Sequence, residues 1–95
     1  MAQEDQIAVG VMKIAAIQDN GICSFKRAYA EIPDHVRLSS GNLAASQTRP
    51  GEPMWHQIVR NIKSHNNEKF IGAGLLQHVP RVGYRITKKG LAALK

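Results

Sequence analysis

Apolar residues in the first part of the chain recur at three- and four-residue spacing. Ile7, Val11 and Ile14 share one face, flanked by Ala8, Ala15 and Ile17. The pattern predicts a helix over residues 4–19, ended by Asp19-Asn20-Gly21, because Asn and Gly accept the left-handed conformation used at helix C-termini. Ser24 then supplies an N-cap for a second helix, Phe25 to Ile32, closed by Pro33. Phe25, Ala28, Tyr29 and Ile32 form its inner face, while Lys26, Arg27 and Glu31 point outward. A third helix is predicted over residues 53–66, with Pro53 in the first turn. Its apolar side is Trp55, Ile58, Val59 and Ile62. Winding at about 100° per residue gathers His56, Gln57, Arg60, Lys63 and Ser64 on the other side, without an acid among them.

The intervening residues 34–52 are predicted to hold a short edge strand, His35 to Leu38, from the alternation of Val36 and Leu38. Ser39-Ser40-Gly41 is a turn signal, and Asn42 to Gln47 suits a further helical turn. The cations of this segment, Arg37 and Arg49, either meet phosphate or belong to a mobile connection. Beyond Asn66-Asn67, residues 68–74 connect to a hairpin over 75–87. Leu75, Leu76 and Val79 lead into its first strand, Pro80-Arg81-Val82-Gly83 turns the chain, and Tyr84 to Thr87 returns. Thr87 caps a last helix, Lys88 to Lys95, with Leu91 and Leu94 toward the body. Three helices, a two-stranded hairpin and a C-terminal helix make an α+β, mainly α, layout, that of a winged helix-turn-helix spanning residues 1–95 as a single domain.

Composition narrows the chemistry. Ninety-five residues with 43% hydrophobic and 21% charged side chains suit one globular domain with one modest core. Cys23 has no disulfide partner in the chain, which fits a reducing compartment and a small buried residue. No apolar run approaches the roughly 20 residues of a membrane span, and MAQEDQ lacks the features of a secretion signal. The expectation is a soluble cytoplasmic protein with no membrane partner. The net charge of +6 is uneven: residues 1–34 hold Lys13, Lys26 and Arg27 against five acids, a balance of −2, and residues 35–95 hold ten Lys and Arg against Glu52 and Glu68, a balance of +8. A positive pole of this kind attracts polyanions, and nucleic acid is the commonest in cells.

These readings converge on duplex DNA. The third helix carries side chains suited to base edges and phosphates in a major groove. The hairpin and its flank carry His78, Arg81 and Arg85, followed by Lys88 and Lys89. The expected contact residues are therefore His56, Gln57, Arg60, Lys63, Ser64, His78, Arg81, Arg85 and Lys88. Trp55 reads as a core anchor; Tyr84 either packs inward or offers its hydroxyl to phosphate; Arg60 either meets the groove or pairs with Glu52 or Glu68. The alternative function is a protein-interaction winged helix that docks on a nuclease or a second copy of itself.

Leu38-Ser39-Ser40-Gly41, the helix with Trp55 and Val59-Arg60-Asn61, then Gly74-Leu75-Leu76, Pro80-Arg81, Gly83-Tyr84, Arg85-Ile86-Thr87 and Gly90 resemble the N-terminal winged-helix domain of Mrr-type restriction endonucleases. The resemblance covers residues 5–95. It implies DNA binding, at His56, Gln57, Arg60 and Arg81, with selectivity for sequence or for modified bases, in a domain joined to a separate nuclease. This chain departs from the family in a longer segment between Gly41 and Pro53 and in holding no nuclease domain. Catalytic signatures are absent too. None of the seven acids is followed two positions later by the Lys of a metal-dependent nuclease pattern, and Cys23, His35, His56, His65 and His78 lack zinc-ligand spacing. The sequence predicts neither an enzyme, nor a metal site, nor a cofactor.

Overall fold

The computed structural model describes residues 4–38, 53–62 and 70–94. Along these residues run α1 (Glu4–Ala16), β1 (Ile22–Ser24), α2 (Phe25–His35), α3 (Met54–Asn61), β2 (Leu76–Val79), β3 (Gly83–Ile86) and α4 (Lys88–Ala93). The fold is α+β and mainly helical: among the described residues, four helices with one three-stranded antiparallel sheet in the order β1-β3-β2.

Helix α1 is the hub. It touches α2, α3, α4, β1 and β3, and buries Ile7, Ala8, Val11, Met12, Ile14 and Ala15. Removing that much aliphatic surface from water is the main favourable contribution to the fold. The helix stops at Ala16, earlier than its periodicity suggests. Ile17 N–H and Gln18 N–H bond back three residues to Ile14 and Ala15, and the Gln18 amide caps the Ile14 carbonyl at 3.1 Å. Ile17 consequently leaves the buried face and is 70% exposed.

The turn signal Asp19-Asn20-Gly21 serves the start of β1 rather than a helix end. Asn20 Oδ1 accepts from Ile22 N–H at 3.0 Å, and Gly21 takes φ 69°. Strand β1 is absent from the sequence expectations. It pairs with β3 in the register Ile22↔Arg85, Cys23↔Tyr84, Ser24↔Gly83. Ser24 then caps α2 as expected, accepting from Arg27 N–H at 3.0 Å.

Helix α2 runs through Pro33 to His35. Proline removes one main-chain bond, but Ile32 is fully buried and its carbonyl receives Val36 N–H at 2.9 Å, so the last turn holds. His35 is therefore helical and the expected strand over His35 to Leu38 does not form. Helix α2 takes up His35, and the sheet among the described residues is made of β1, β3 and β2 without this segment. The expectations for Ser39-Ser40-Gly41, Asn42 to Gln47 and Arg49 fall outside the described residues.

Pro53 is the N-cap of α3, with φ −65° and ψ 149°, one position before its expected place. The helix turns Trp55 and Val59 into the core, and Ile62 at its C-cap is buried as well. The described part of this segment ends at Ile62, so the continuation to Asn66 lies outside it. Phe70, unassigned in the sequence reading, is buried, and its carbonyl receives Leu75 N–H at 2.9 Å on the way into the hairpin. Strands β2 and β3 pair Leu76↔Ile86, Gln77↔Arg85, His78↔Tyr84 and Val79↔Gly83.

Thr87 caps α4, accepting from Gly90 N–H at 3.0 Å, while its hydroxyl proton reaches the Gly74 carbonyl at 2.5 Å. Gly90, not Leu91, is the residue α4 presses on the body. A Cβ there would strike the Leu75 carbonyl, and Leu91 is 41% exposed as a result. Gly83 is equally constrained, since a Cβ would collide with the Cys23 carbonyl and lie 2.8 Å from Ser24 Cα across the β1–β3 pairing. Gly83→Ala is expected to lower stability by about 3 kcal/mol, measured as a fall in the urea midpoint, because β1 and β3 cannot keep their register around the added methyl.

Candidate nucleic-acid interface

Two elements carry most of the expected contact residues, and one side chain fixes their relation. Tyr84 of β3 is fully buried, which settles its placement as inward. Its hydroxyl donates to the Val59 carbonyl at 2.6 Å, with the Arg60 carbonyl at 3.3 Å. The Val59 carbonyl also receives the C-cap amide of Ile62 at 3.4 Å, so the tyrosine adds a second, shorter bond to a carbonyl in the last turn of α3. The Tyr84 ring meets Phe25 edge-on at 5.5 Å.

Helix α3 does not turn its whole polar side to solvent. His56 stacks on Tyr29 of α2 at 4.0 Å with an interplanar angle of 13°, and Trp55 meets the His56 ring edge-on at 4.3 Å. Arg60 Nη1 donates to the Tyr29 hydroxyl at 3.3 Å. His56, Gln57 and Arg60 are each half-buried. The structure thus brings His56 and Arg60 together on Tyr29, a residue the sequence reading gave only to the inner face of α2. Its aromatic spacing was visible; its position opposite α3 was not. Lys63 and Ser64 lie outside the described residues.

On the hairpin, alternation separates the candidates. Gln77 and Arg85 pair across the strands on the outer face and are exposed. His78 pairs with Tyr84 on the inner face, half-buried, with its ring 5.9 Å from the tyrosine ring. Arg81 stands exposed at the tip and Lys88 and Lys89 stand exposed on the first turn of α4. The tip is tied down: Val82 N–H bonds to the Val79 carbonyl at 3.0 Å, and the Val82 carbonyl receives Phe25 N–H, at the start of α2, at 2.8 Å.

No protein-family model, curated protein or solved structure matches this chain. Every acid among the described residues lies between Glu4 and Asp34, and Glu31 is paired with Arg27 at 2.8 Å. Between Pro53 and Leu94 the sequence holds a single acid, Glu68, against seven Lys and Arg, of which Arg60, Arg81, Arg85, Lys88 and Lys89 are among the described residues. Two of these placements cost the protein stability. Lys88 and Lys89 sit at the positive end of the α4 dipole, which has no acid in its first turn. Arg81 holds φ 65° after Pro80, the third position of a type II turn, where Gly or Asn avoids the left-handed penalty.

Two open clefts flank the end of α2 around His35, Val36 and Arg37, one also reached by Asp5 and Lys13; of the residues given a possible phosphate contact, Arg37 lines both and none of the α3 or hairpin candidates lines either. Among the described residues there is no group of three His, Cys, Asp or Glu able to hold a metal ion, and no helix is long and apolar enough to cross a membrane. Cys23 is buried on β1, its thiol pushed up to about 12 by burial, with Glu31 raising it further and Arg27 opposing. It belongs to the core and stays protonated at neutral pH.

Two predictions follow from these local energies. Arg81→Gly is expected to raise stability by about 0.5 kcal/mol, the left-handed penalty relieved less the greater freedom of glycine in the unfolded chain; chemical denaturation measures it. The raised thiol of Cys23 favours the fold below its ordinary value of 9.0, and that contribution is lost as pH rises toward about 12, because the unfolded chain ionises first. Urea midpoints measured from pH 8 to 11 are expected to fall more steeply for the wild type than for Cys23→Ala.

Proposed function

We propose that this domain binds double-stranded DNA as a non-enzymatic winged helix. Helix α3 enters the major groove, and the hairpin of β2 and β3 serves as a basic wing on the flanking backbone. The observation that carries the reading is the charge imbalance between Pro53 and Leu94, where Arg60, Lys63, Lys69, Arg81, Arg85, Lys88 and Lys89 stand against Glu68. Such a surface draws phosphates by counterion release, a sequence-independent attraction. The penalties borne by Arg81, Lys88 and Lys89 support the same reading, since a cation kept where it weakens the fold serves something outside the fold. Selectivity for sequence or for base modification falls to α3, where Gln57 and Arg60 have the donors that base edges require. The residues by which the sequence resembles the Mrr N-terminal domain include Gly83, which packs on β1, Tyr84, which bonds to α3, and Thr87 and Gly90, which seat α4.

A second reading, docking on a nuclease or on a second copy of the chain, is favoured by Ile17 and Leu91, apolar side chains left 70% and 41% exposed. Light scattering separates the two, because association through apolar contacts persists in salt that dissociates DNA.

Titration of a labelled duplex at several salt concentrations tests the first reading. Arg60→Ala and Arg81→Ala are each expected to weaken binding and to reduce the slope of log affinity against log salt by about one. Unchanged binding in both variants at moderate salt would show that DNA, if bound at all, lies elsewhere.

A further inference from the structure

Tyr29 lies on α2, outside the residues expected to touch DNA, yet two of those residues are built onto it. Its ring carries the His56 imidazole at 4.0 Å, and its hydroxyl accepts from Arg60 Nη1 at 3.3 Å. The edge of Trp55, 6.1 Å away at 78°, backs the same ring. His56 and Arg60 stand one helical turn apart on α3, so one side chain of α2 sets the direction of both. A guanidinium is a planar fork of five N–H donors, and anchoring one donor fixes the plane of the others. Side-chain freedom lost on folding is not lost again on binding, which is how pre-organisation raises affinity without a new contact.

We propose that Tyr29 is a positioning residue for duplex binding, acting through Arg60. It makes α2 more than a scaffold: its hydroxyl holds the arginine for the acceptor oxygens of DNA, and its ring holds His56 beside it. The inference rests on the DNA reading above, and the two can fail separately.

The test is a double-mutant cycle with a labelled mixed-sequence duplex, using wild type, Tyr29→Phe, Arg60→Ala and the double variant. Phenylalanine keeps the ring under His56 and removes only the hydroxyl. Tyr29→Phe is expected to weaken binding about fivefold with the salt slope unchanged, since no charge is lost. The double variant is expected to match Arg60→Ala within about twofold. NMR of the Arg60 guanidinium gives a measurement independent of affinity: restrained rotation in the wild type, released in Tyr29→Phe. The inference is overturned if Tyr29→Phe binds like wild type, if the two losses multiply in the double variant, or if the Arg60 signal is unchanged by the substitution. A wild type that binds no duplex defeats the DNA reading itself.

Discussion

The hydrogen bond from Tyr84 to the carbonyl of Val59 is the constraint on which the arrangement turns. It joins a strand of the hairpin to the last turn of α3 across 25 positions of sequence, and it is buried. Around the same ring stand Phe25 from α2, Cys23 opposite on β1 and His78 opposite on β2. Each neighbour comes from a different element, so the tyrosine can occupy its site only when sheet, α2 and α3 are all assembled. A phenol in apolar surroundings without an acceptor carries a desolvation penalty of about 1–3 kcal/mol. That penalty penalises every arrangement in which α3 slides or rotates against the hairpin. The relation between the two basic elements is therefore specified by a polar group, while the apolar contacts of Trp55, Val59 and Ile62 supply bulk attraction with less directional preference.

What the sequence disclosed and what it hid divide along the range of the interaction responsible. The buried face of α1, the Ser24 and Thr87 caps and the hairpin with its turn are local signals, complete within a few residues, and all were legible. Strand β1 was not, because Ile22, Cys23 and Ser24 become a strand only through β3, some sixty positions away. The same dependence misled the reading of His35 to Leu38, whose alternation is real but which the last turn and C-cap of α2 take up instead. Ile17 and Leu91 had the right periodicity and the wrong exposure: one lies beyond the point where side-chain capping ends α1, the other beside a glycine that comes closer to the body than it can. For the site, residue types and charge were legible, but not which polar residues of α3 face another helix. That depended on where α2 crosses, a fact held by Tyr29 and invisible to any single-helix projection.

Charge and conformation pull in opposite directions in the second half of the molecule. A sequence optimised for stability alone would place acids in the first turn of α4 and a glycine or asparagine after Pro80. It has Lys88 and Lys89 in the one place and Arg81 in the other. Each departure is small against the burial that sustains the fold, which is why several can coexist in a domain of this size. Their shared sign, all cationic and all exposed, is what makes them informative. Departures from local preference scattered at random would not line up by charge.

The bond from Phe25 N–H to the Val82 carbonyl bears on motion. A hairpin attached only at its base flexes freely at its tip, and its end amides exchange with solvent through fluctuations of the loop alone. Here the tip is fastened to the first residue of α2 and the base to Thr87 and Leu75, so the strands, the turn and the entry to α2 open as one cooperative unit or not at all. Arg81 has an exposed side chain on a fixed anchorage. A partner that meets it encounters a preset shape, and whatever adjustment the encounter demands must come from the partner.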